Sequence, residues 1–315
     1  MSPMRRILID IPQDLDTFTE DSSLNLKSSV RAAVELVEHL QDAHLILFSY
    51  VYSDTISLST WFSGSVIKNA QNEMIEQQLE RLQQVKVQLE NTSITIETKV
   101  VWSKHLDDGL EVAYGAEQNL PELVIQPSRH HFFAAALVRQ PEEWRMIRMP
   151  HVPVVLQQLP GRLFGRVLLA IDVAEGLEES VEHAEQPAIE YLQQWCEAFK
   201  SELHIVNAYP SAAELMAFAP AEWTIPQIQS TLEGQHRERL VSIAQKYDIP
   251  SQRVHVGEGP VATVLEQCAE KIDAHLVSIA SHCRRGISGF FIGNTAETVL
   301  EHTRLNLLVI KPQNQ

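Results

Sequence analysis

Cysteine is scarce in this chain of 315 residues: Cys196, Cys268 and Cys283 are the only three, all in the second half. So sparse and odd a set makes no disulfide framework, and a reducing compartment is expected. Long apolar runs are missing too. No stretch approaches the roughly 18 uncharged apolar residues of a membrane span. The run Ile7-Leu8-Ile9 after Arg5 and Arg6 is cut by Asp10, too early for the core of a signal peptide. These absences predict a cytoplasmic protein without membrane insertion. Positive charge is also short. Lys and Arg number 25 against 41 Asp and Glu, a net charge of -16. Such a chain repels a polyanion, so nucleic acid is a poor partner, as is an anionic membrane surface. Catalytic motifs are lacking as well. There is no Gly-x4-Gly-Lys-Ser/Thr loop, no Gly-x-Ser-x-Gly elbow and no paired metal carboxylates at recognisable spacing. Neither His130-His131 nor His282-Cys283 reads as a metal site, because adjacent residues rarely ligate one ion and no partner spacing supports them. No catalytic residue and no metal ligand is assigned.

What is present is an ordinary globular composition, 44% apolar and 21% charged, written twice. Ile7-Leu8-Ile9 matches Val167-Leu168-Leu169 at an offset of 160 (167 minus 7). Leu45-Ile46-Leu47-Phe48 matches Leu203-His204-Ile205-Val206 at 158, and Leu123-Val124-Ile125 matches Leu276-Val277-Ser278 at 153. Val154-Val155-Leu156 matches Leu307-Leu308-Val309, again at 153. A slowly drifting offset means the same elements joined by loops of slightly different length. It indicates duplication of a domain and not a solenoid, whose period would be about 20–50 residues. Helical patterns lie between these runs. Val30, Ala33, Val34 and Val37 share one face, as do Ile189, Leu192, Cys196 and Phe199. Short Val/Ile/Leu runs alternating with helices imply parallel strands buried on both faces. The expected fold is α/β: two tandem doubly wound domains, over residues 1–158 and 163–315, with Pro160 and Gly161 punctuating the boundary.

In an open parallel sheet a ligand binds beyond the carboxyl ends of the strands. The first strand of the second half ends in Asp172, which can accept hydrogen bonds from a ribose or an adenine amine, or can simply start a turn. The fourth strand runs into Ala280-Ser281-His282-Cys283-Arg284-Arg285-Gly286, and later Gly293-Asn294-Thr295 opens a helix. On these residues, with Gly257-Glu258-Gly259-Pro260, Asn207-Ala208-Tyr209-Pro210 and Leu307-Leu308-Val309-Ile310-Lys311-Pro312, the whole chain resembles a two-domain, E-type universal stress protein. The family's phosphate signature is Gly-x2-Gly-x9-Gly followed by a small polar residue. Here its first glycine falls on Ala280 and its second on Cys283, while Gly293 is retained and followed by Asn294. A Cβ at either lost glycine occupies space that a phosphate would need. Asn294 and Thr295 still open a helix beside Arg284, which suits an anion or merely caps that helix.

The resemblance implies mostly parallel five-stranded sheets of order 3-2-1-4-5 with an adenine nucleotide alpha hydrolase-like fold. It also implies an intramolecular pseudo-dimer, open to further homodimerisation. It implies a non-catalytic stress-response sensor or regulator with a degenerate ATP or AMP site in the second domain. Asp172 would meet the adenosine. Ala280, Cys283, Gly293, Asn294 and Thr295 would line the phosphate end, and Arg284 would neutralise charge. The first domain is expected to bind no nucleotide this way, since the acidic position falls on Pro12 and the loop from Gln126-Pro127 holds no glycine. Cys283 is expected to be an inert small residue, with a redox-sensing thiol as the alternative. Insertions at 53–66, with Ile56, Leu58, Trp61 and Phe62, and at 211–226, with Leu215, Met216, Phe218, Trp223 and Ile225, are expected to pack over their own domain or across the domain interface, with a lid over an apolar ligand site as the alternative. Two other functions stay open: a scaffold that holds a protein or an apolar ligand, and a weak nucleotide hydrolase.

Overall fold

The computed structural model describes residues 6–13, 20–40, 42–57, 63–89, 94–115, 120–127, 145–146, 152–173, 178–216, 222–280, 299, 303 and 305–310, with the backbone alone for 20–27 and 178–184. The chain divides into two compact units, Met1–Gly161 and Arg162–Gln315.

Unit 1 runs β1 (Arg6–Asp10), α1 (Glu20–Glu38), β2 (His44–Val51), α2 (Asp54–Ser57), α3 (Gly64–Gln88), β3 (Thr95–Trp102), α4 (Leu106–Tyr114), β4 (Leu123–Pro127) and β5 (Val154–Gln157). Its strands lie in the order β3-β2-β1-β4-β5, every pair parallel. Unit 2 runs β6 (Arg166–Ala170), α5 (Glu178–Phe199), β7 (Glu202–Tyr209), α6 (Ala212–Leu215), α7 (Ile225–Lys246), β8 (Val254–Glu258), α8 (Val261–Ile272), β9 (Leu276–Ala280) and β10 (Leu307–Ile310). Its strands lie in the order β8-β7-β6-β9-β10, again all parallel. Numbered within each unit, both sheets read 3-2-1-4-5, the order the family resemblance implies.

The central strands form because their residues can be buried on both faces. In β2 only His44 escapes full burial, and β4, β5 and β10 are buried throughout. Parallel strands need crossover helices, and these cover both faces of the sheet. Asn207 of β7 reaches α7 through His236, whereas a Cβ on Gly257 of β8 would meet Val264 of α8. Gly257 pairs in register with Ala208, the neighbour of Asn207 in β7, so α7 and α8 lie on opposite faces. The helices carry their own end signals. At α7 the backbone N–H of Thr224 donates to Gln227 Oε1 (2.9 Å), and the Ser211 hydroxyl accepts from Glu214 N (3.2 Å) at α6. Trp195 and Phe199 of α5 are buried, with ring centroids 4.7 Å apart.

The duplication extends to polar contacts. Arg6 and Arg166 both open the first strand and bind the segment before the fourth. Arg6 reaches Leu120 O (2.7 Å) and Glu122, and Arg166 reaches Asp273. In each unit the backbone closes the same loop, Glu122 N to Arg6 O (3.0 Å) and His275 N to Arg166 O (2.9 Å). One boundary differs from the sequence reading. Gln126 and Pro127 belong to β4 and not to the loop after it, in register with Leu156 and Gln157. Pro127, the last residue of β4, has no N–H to give the ladder.

Candidate functional site

The strand order reverses between the first and fourth strands of each unit, which opens a crevice outside their carboxyl ends. In unit 2 these are β6 and β9, level with each other because Ala170 is in register with Ile279. Asp172 stands just beyond β6 and is exposed. Ala280 ends β9 and is half-buried. The structure thus brings two of the sequence-predicted residues to neighbouring strand ends. Cys283, Arg284, Gly293, Asn294 and Thr295 lie outside the described residues.

The turn that carries Asp172 is held from three elements. Asn207 Nδ2 of β7 donates to Ile171 O (2.7 Å). The N–H of Asp172 donates to Glu185 Oε1 of α5 (2.9 Å). Arg239 of α7 donates to Val173 O (3.0 Å). Each of three successive residues therefore has its backbone tied, while the side chain between the two carbonyl clamps stays in solvent. Behind this layer, His236 Nδ1 donates to Asn207 Oδ1 (2.7 Å), since Asn207 spends its N–H on Ile171. That leaves His236 with a bare Nε2. Its pKa is held down by burial and then by the Arg239 cation, against the pull of Asp172. Glu185 is 4% exposed, and its Oε2 is buried without a hydrogen-bond partner. Burial raises its pKa from 4.5 to about 8, against the hydrogen bond from Asp172 N and with the nearby Asp172 charge. Near neutral pH this carboxyl holds its proton.

Unit 1 repeats the frame without the carboxylates. Ser49 corresponds to Asn207, Gln78 to His236 and Arg81 to Arg239, all at offset 158 (207 minus 49). Gln78 Nε2 donates to Ser49 Oγ (3.0 Å) and Pro12 O (3.3 Å), and Arg81 donates to Gln13 O (3.2 Å). Gln13 Oε1 also accepts from Tyr52 N (2.9 Å). Pro12 corresponds to Asp172 at offset 160 and has no N–H to offer. The buried positions of α1 and α5 align at offset 159 (Val30 with Ile189, Ala33 with Leu192, Leu36 with Trp195). Glu185 therefore answers to Leu26, an apolar residue. Asp10 is the last residue of β1 and is buried.

Reading the sequence missed Glu185, Asn207, His236 and Arg239 as parts of the site. A signal existed: carrying the offset of 158 into the helices aligns Arg81 with Arg239. A second cluster was missed as well. His204 and His255 lie on the face of β7 and β8 opposite Asn207, with Nδ1 of His204 3.0 Å from Nε2 of His255. The insertion near 211–226 departs from the packing expectation. Met216, Trp223 and Ile225 are 40%, 37% and 48% exposed, while Phe218 lies outside the described residues, as do Leu58, Trp61 and Phe62 of the other insertion. Burial lifts the thiol pKa values of Cys196 and Cys268 to about 12 and about 11, which disfavours the nucleophilic thiolate. Among the described residues no group of three or more His, Cys, Asp or Glu could hold a metal ion. No helix there is long and apolar enough to cross a membrane.

Comparison with known proteins bears on the family and the fold. A model of the universal stress protein family matches residues 164–311. Universal stress protein E of Salmonella typhi is 32% identical over 235 residues, 73% of this chain and 72% of that protein. The Haemophilus influenzae homolog of universal stress protein E is 27% identical over 288 residues, 90% of this chain and 92% of its own. Among solved structures, a putative universal stress protein from Pseudomonas aeruginosa superposes with a TM-score of 0.61 at 22% identity, covering 98% of this chain and 94% of that one. One from Archaeoglobus fulgidus superposes at 0.57 and 17%, covering 98% and 97%. These two likenesses are of fold.

Proposed function

The chain belongs to the universal stress protein family as a tandem, E-type member, and from that premise we propose that it is a non-catalytic regulator of the stress response in the cytoplasm. Its ligand site is the unit 2 crevice, where a degenerate pocket takes ATP or AMP. Asp172 accepts hydrogen bonds from the adenosine. Ala280, Cys283, Gly293, Asn294 and Thr295 border the phosphates, and Arg284 offsets their charge. The observation that carries this reading is the Asp172 turn. An exposed carboxylate stands at the switch-point crevice on a backbone tied at three successive residues. Pre-ordered acceptors of this kind bind ligands without a large ordering cost. Unit 1 has the frame but places Pro12 where the acceptor would stand, so it works as a structural partner domain.

Calorimetry and thermal shift with ATP and AMP test the reading. A ligand present at a hundred times its Kd stabilises by about 2.7 kcal/mol. The wild-type protein should show such a shift, and Asp172→Ala should lose most of it. No shift with either nucleotide, and no adenylate found by mass spectrometry of the purified protein, would sink the reading. A second reading, a scaffold for an apolar ligand or protein, is favoured by the exposure of Met216, Trp223 and Ile225. Stabilisation by fatty-acyl compounds alone would support that one.

A further inference from the structure

We infer that Glu185 is the positioning residue of the unit 2 site: its carboxyl holds the backbone N–H of Asp172, and so sets the direction in which the Asp172 carboxylate meets a ligand. The inference rests on the adenylate reading of that crevice, though the contact itself exists without ligand.

The two units supply an internal control. Side chains hold two carbonyls of this turn in both units: those of Ile171 and Val173, either side of Asp172, through Asn207 and Arg239 in unit 2, and those of Pro12 and Gln13 through Gln78 and Arg81 in unit 1. Carbonyl clamps therefore hold the turn in each unit by contacts that do not involve the position of Glu185. What Glu185 adds is a partner for the N–H of Asp172 (2.9 Å), and where Pro12 removes that N–H the helix carries Leu26. Acid and acceptor are present together in one unit and replaced together in the other.

A packing role alone does not account for the residue. A buried carboxyl whose second oxygen lacks a partner costs free energy that a leucine at the same place avoids. By the helix offset of 159, the sequence of unit 1 carries Leu26 at the corresponding position. The proton that burial keeps on Glu185 also serves the site. With Oε1 accepting from Asp172 N, the proton sits on Oε2, and the neutral group repels neither the Asp172 carboxylate nor an anionic ligand. Around this corner the described charged and titratable groups are Asp172 on the turn and His236 and Arg239 from α7. From β7 comes uncharged Asn207, and from the end of β9 uncharged Ala280.

The test uses the full chain with AMP as probe, comparing Glu185→Gln with Glu185→Leu. Glutamine keeps an acceptor and cannot ionise, so AMP binding should stay within about threefold of wild type. Leucine leaves the Asp172 N–H without a partner, and binding should weaken by about tenfold or more. A ligand-free readout separates positioning from general damage. The amide resonance of Asp172 should titrate in the wild type with a midpoint near the Glu185 value of about 8, and be flat over that range in Glu185→Gln. A wild-type amide that ignores this titration, or a folded Glu185→Leu protein that binds AMP normally, would overturn the inference. Should Glu185→Leu not fold, the amide titration and Glu185→Gln decide it. Should the wild type bind neither AMP nor ATP, the adenylate reading fails while the amide titration still judges the clamp.

Discussion

At Gly257 a single hydrogen atom decides how β8 meets α8. A Cβ built there would lie 2.6 Å from Cγ1 of Val264, closer than real Cβ contacts come. The corresponding crossing in unit 1 reverses the arrangement: Gly109 is on the helix and Val101 is on the strand, 3.3 Å from where a Cβ on Gly109 would stand. One small and one large residue are required, and either element can supply either. Gly257→Ala should destabilise unit 2 by about 1–3 kcal/mol through overpacking. Adding Val264→Ala should recover part of that loss in urea denaturation. A double variant no more stable than the single one would show that backbone freedom, and not space, selects the glycine. At this scale the sequence is readable only in part. Asp172 stands out because it follows an apolar run. Glu185 and His236 do not, because a polar residue within a helical pattern reads as solvent-facing until something is packed on it. Their roles depend on which helix face meets the turn, and that is set by the crossover path.

Among elements, β7 and β8 carry a pH-sensitive contact. His204 and His255 share a hydrogen bond, so a second proton on the pair would oppose two cations at short range. The pKa of His255 is lowered to about 4, chiefly by burial, then by His204, Lys271 and Arg237. That of His204 is also lowered, by burial first and then by Arg253, against the pull of Glu202. The folded state therefore binds fewer protons here than the unfolded chain, whose histidines titrate near 6.5. The contribution to stability is complete above about pH 6.5 and is lost as the pH falls toward 4. Unfolding midpoints in urea should drop over that window, and His255→Gln should flatten the drop. Glu185 acts in the opposite sense. Its pKa is raised, so its contribution is complete below the unfolded value near 4.5 and declines as the pH rises through about 8. Glu185→Gln should therefore resist alkaline destabilisation better than the wild type. Strands are legible in the sequence because buried parallel strands need unbroken apolar runs. The histidine pair is not, since His204 and His255 are 51 residues apart and meet only through the register that sets Val206 beside His255.

Across the whole molecule, two copies of one fold have diverged at one corner. Both keep the same strand order and the arginine clamp on the first turn, Arg81 on Gln13 O and Arg239 on Val173 O. Only unit 2 keeps an exposed acid there, with Pro12 in its place in unit 1. If the adenylate reading holds, calorimetry should give a stoichiometry of about one nucleotide per chain, and Pro12→Asp alone should not create a second site because Leu26 offers that N–H no acceptor. A stoichiometry near two would show that the first unit binds by other means.

The sequence by itself determined the duplication, the parallel sheets and the place of Asp172 at a strand end. Those features follow from local pattern, from apolar runs long enough to be strands and offsets that recur down the chain. Only the tertiary structure decided which polar residues hold the Asp172 turn, which histidines pair and which apolar side chains remain exposed. Such contacts join residues on separate elements, and their geometry exists only once helices have crossed the sheet and strands have taken their register.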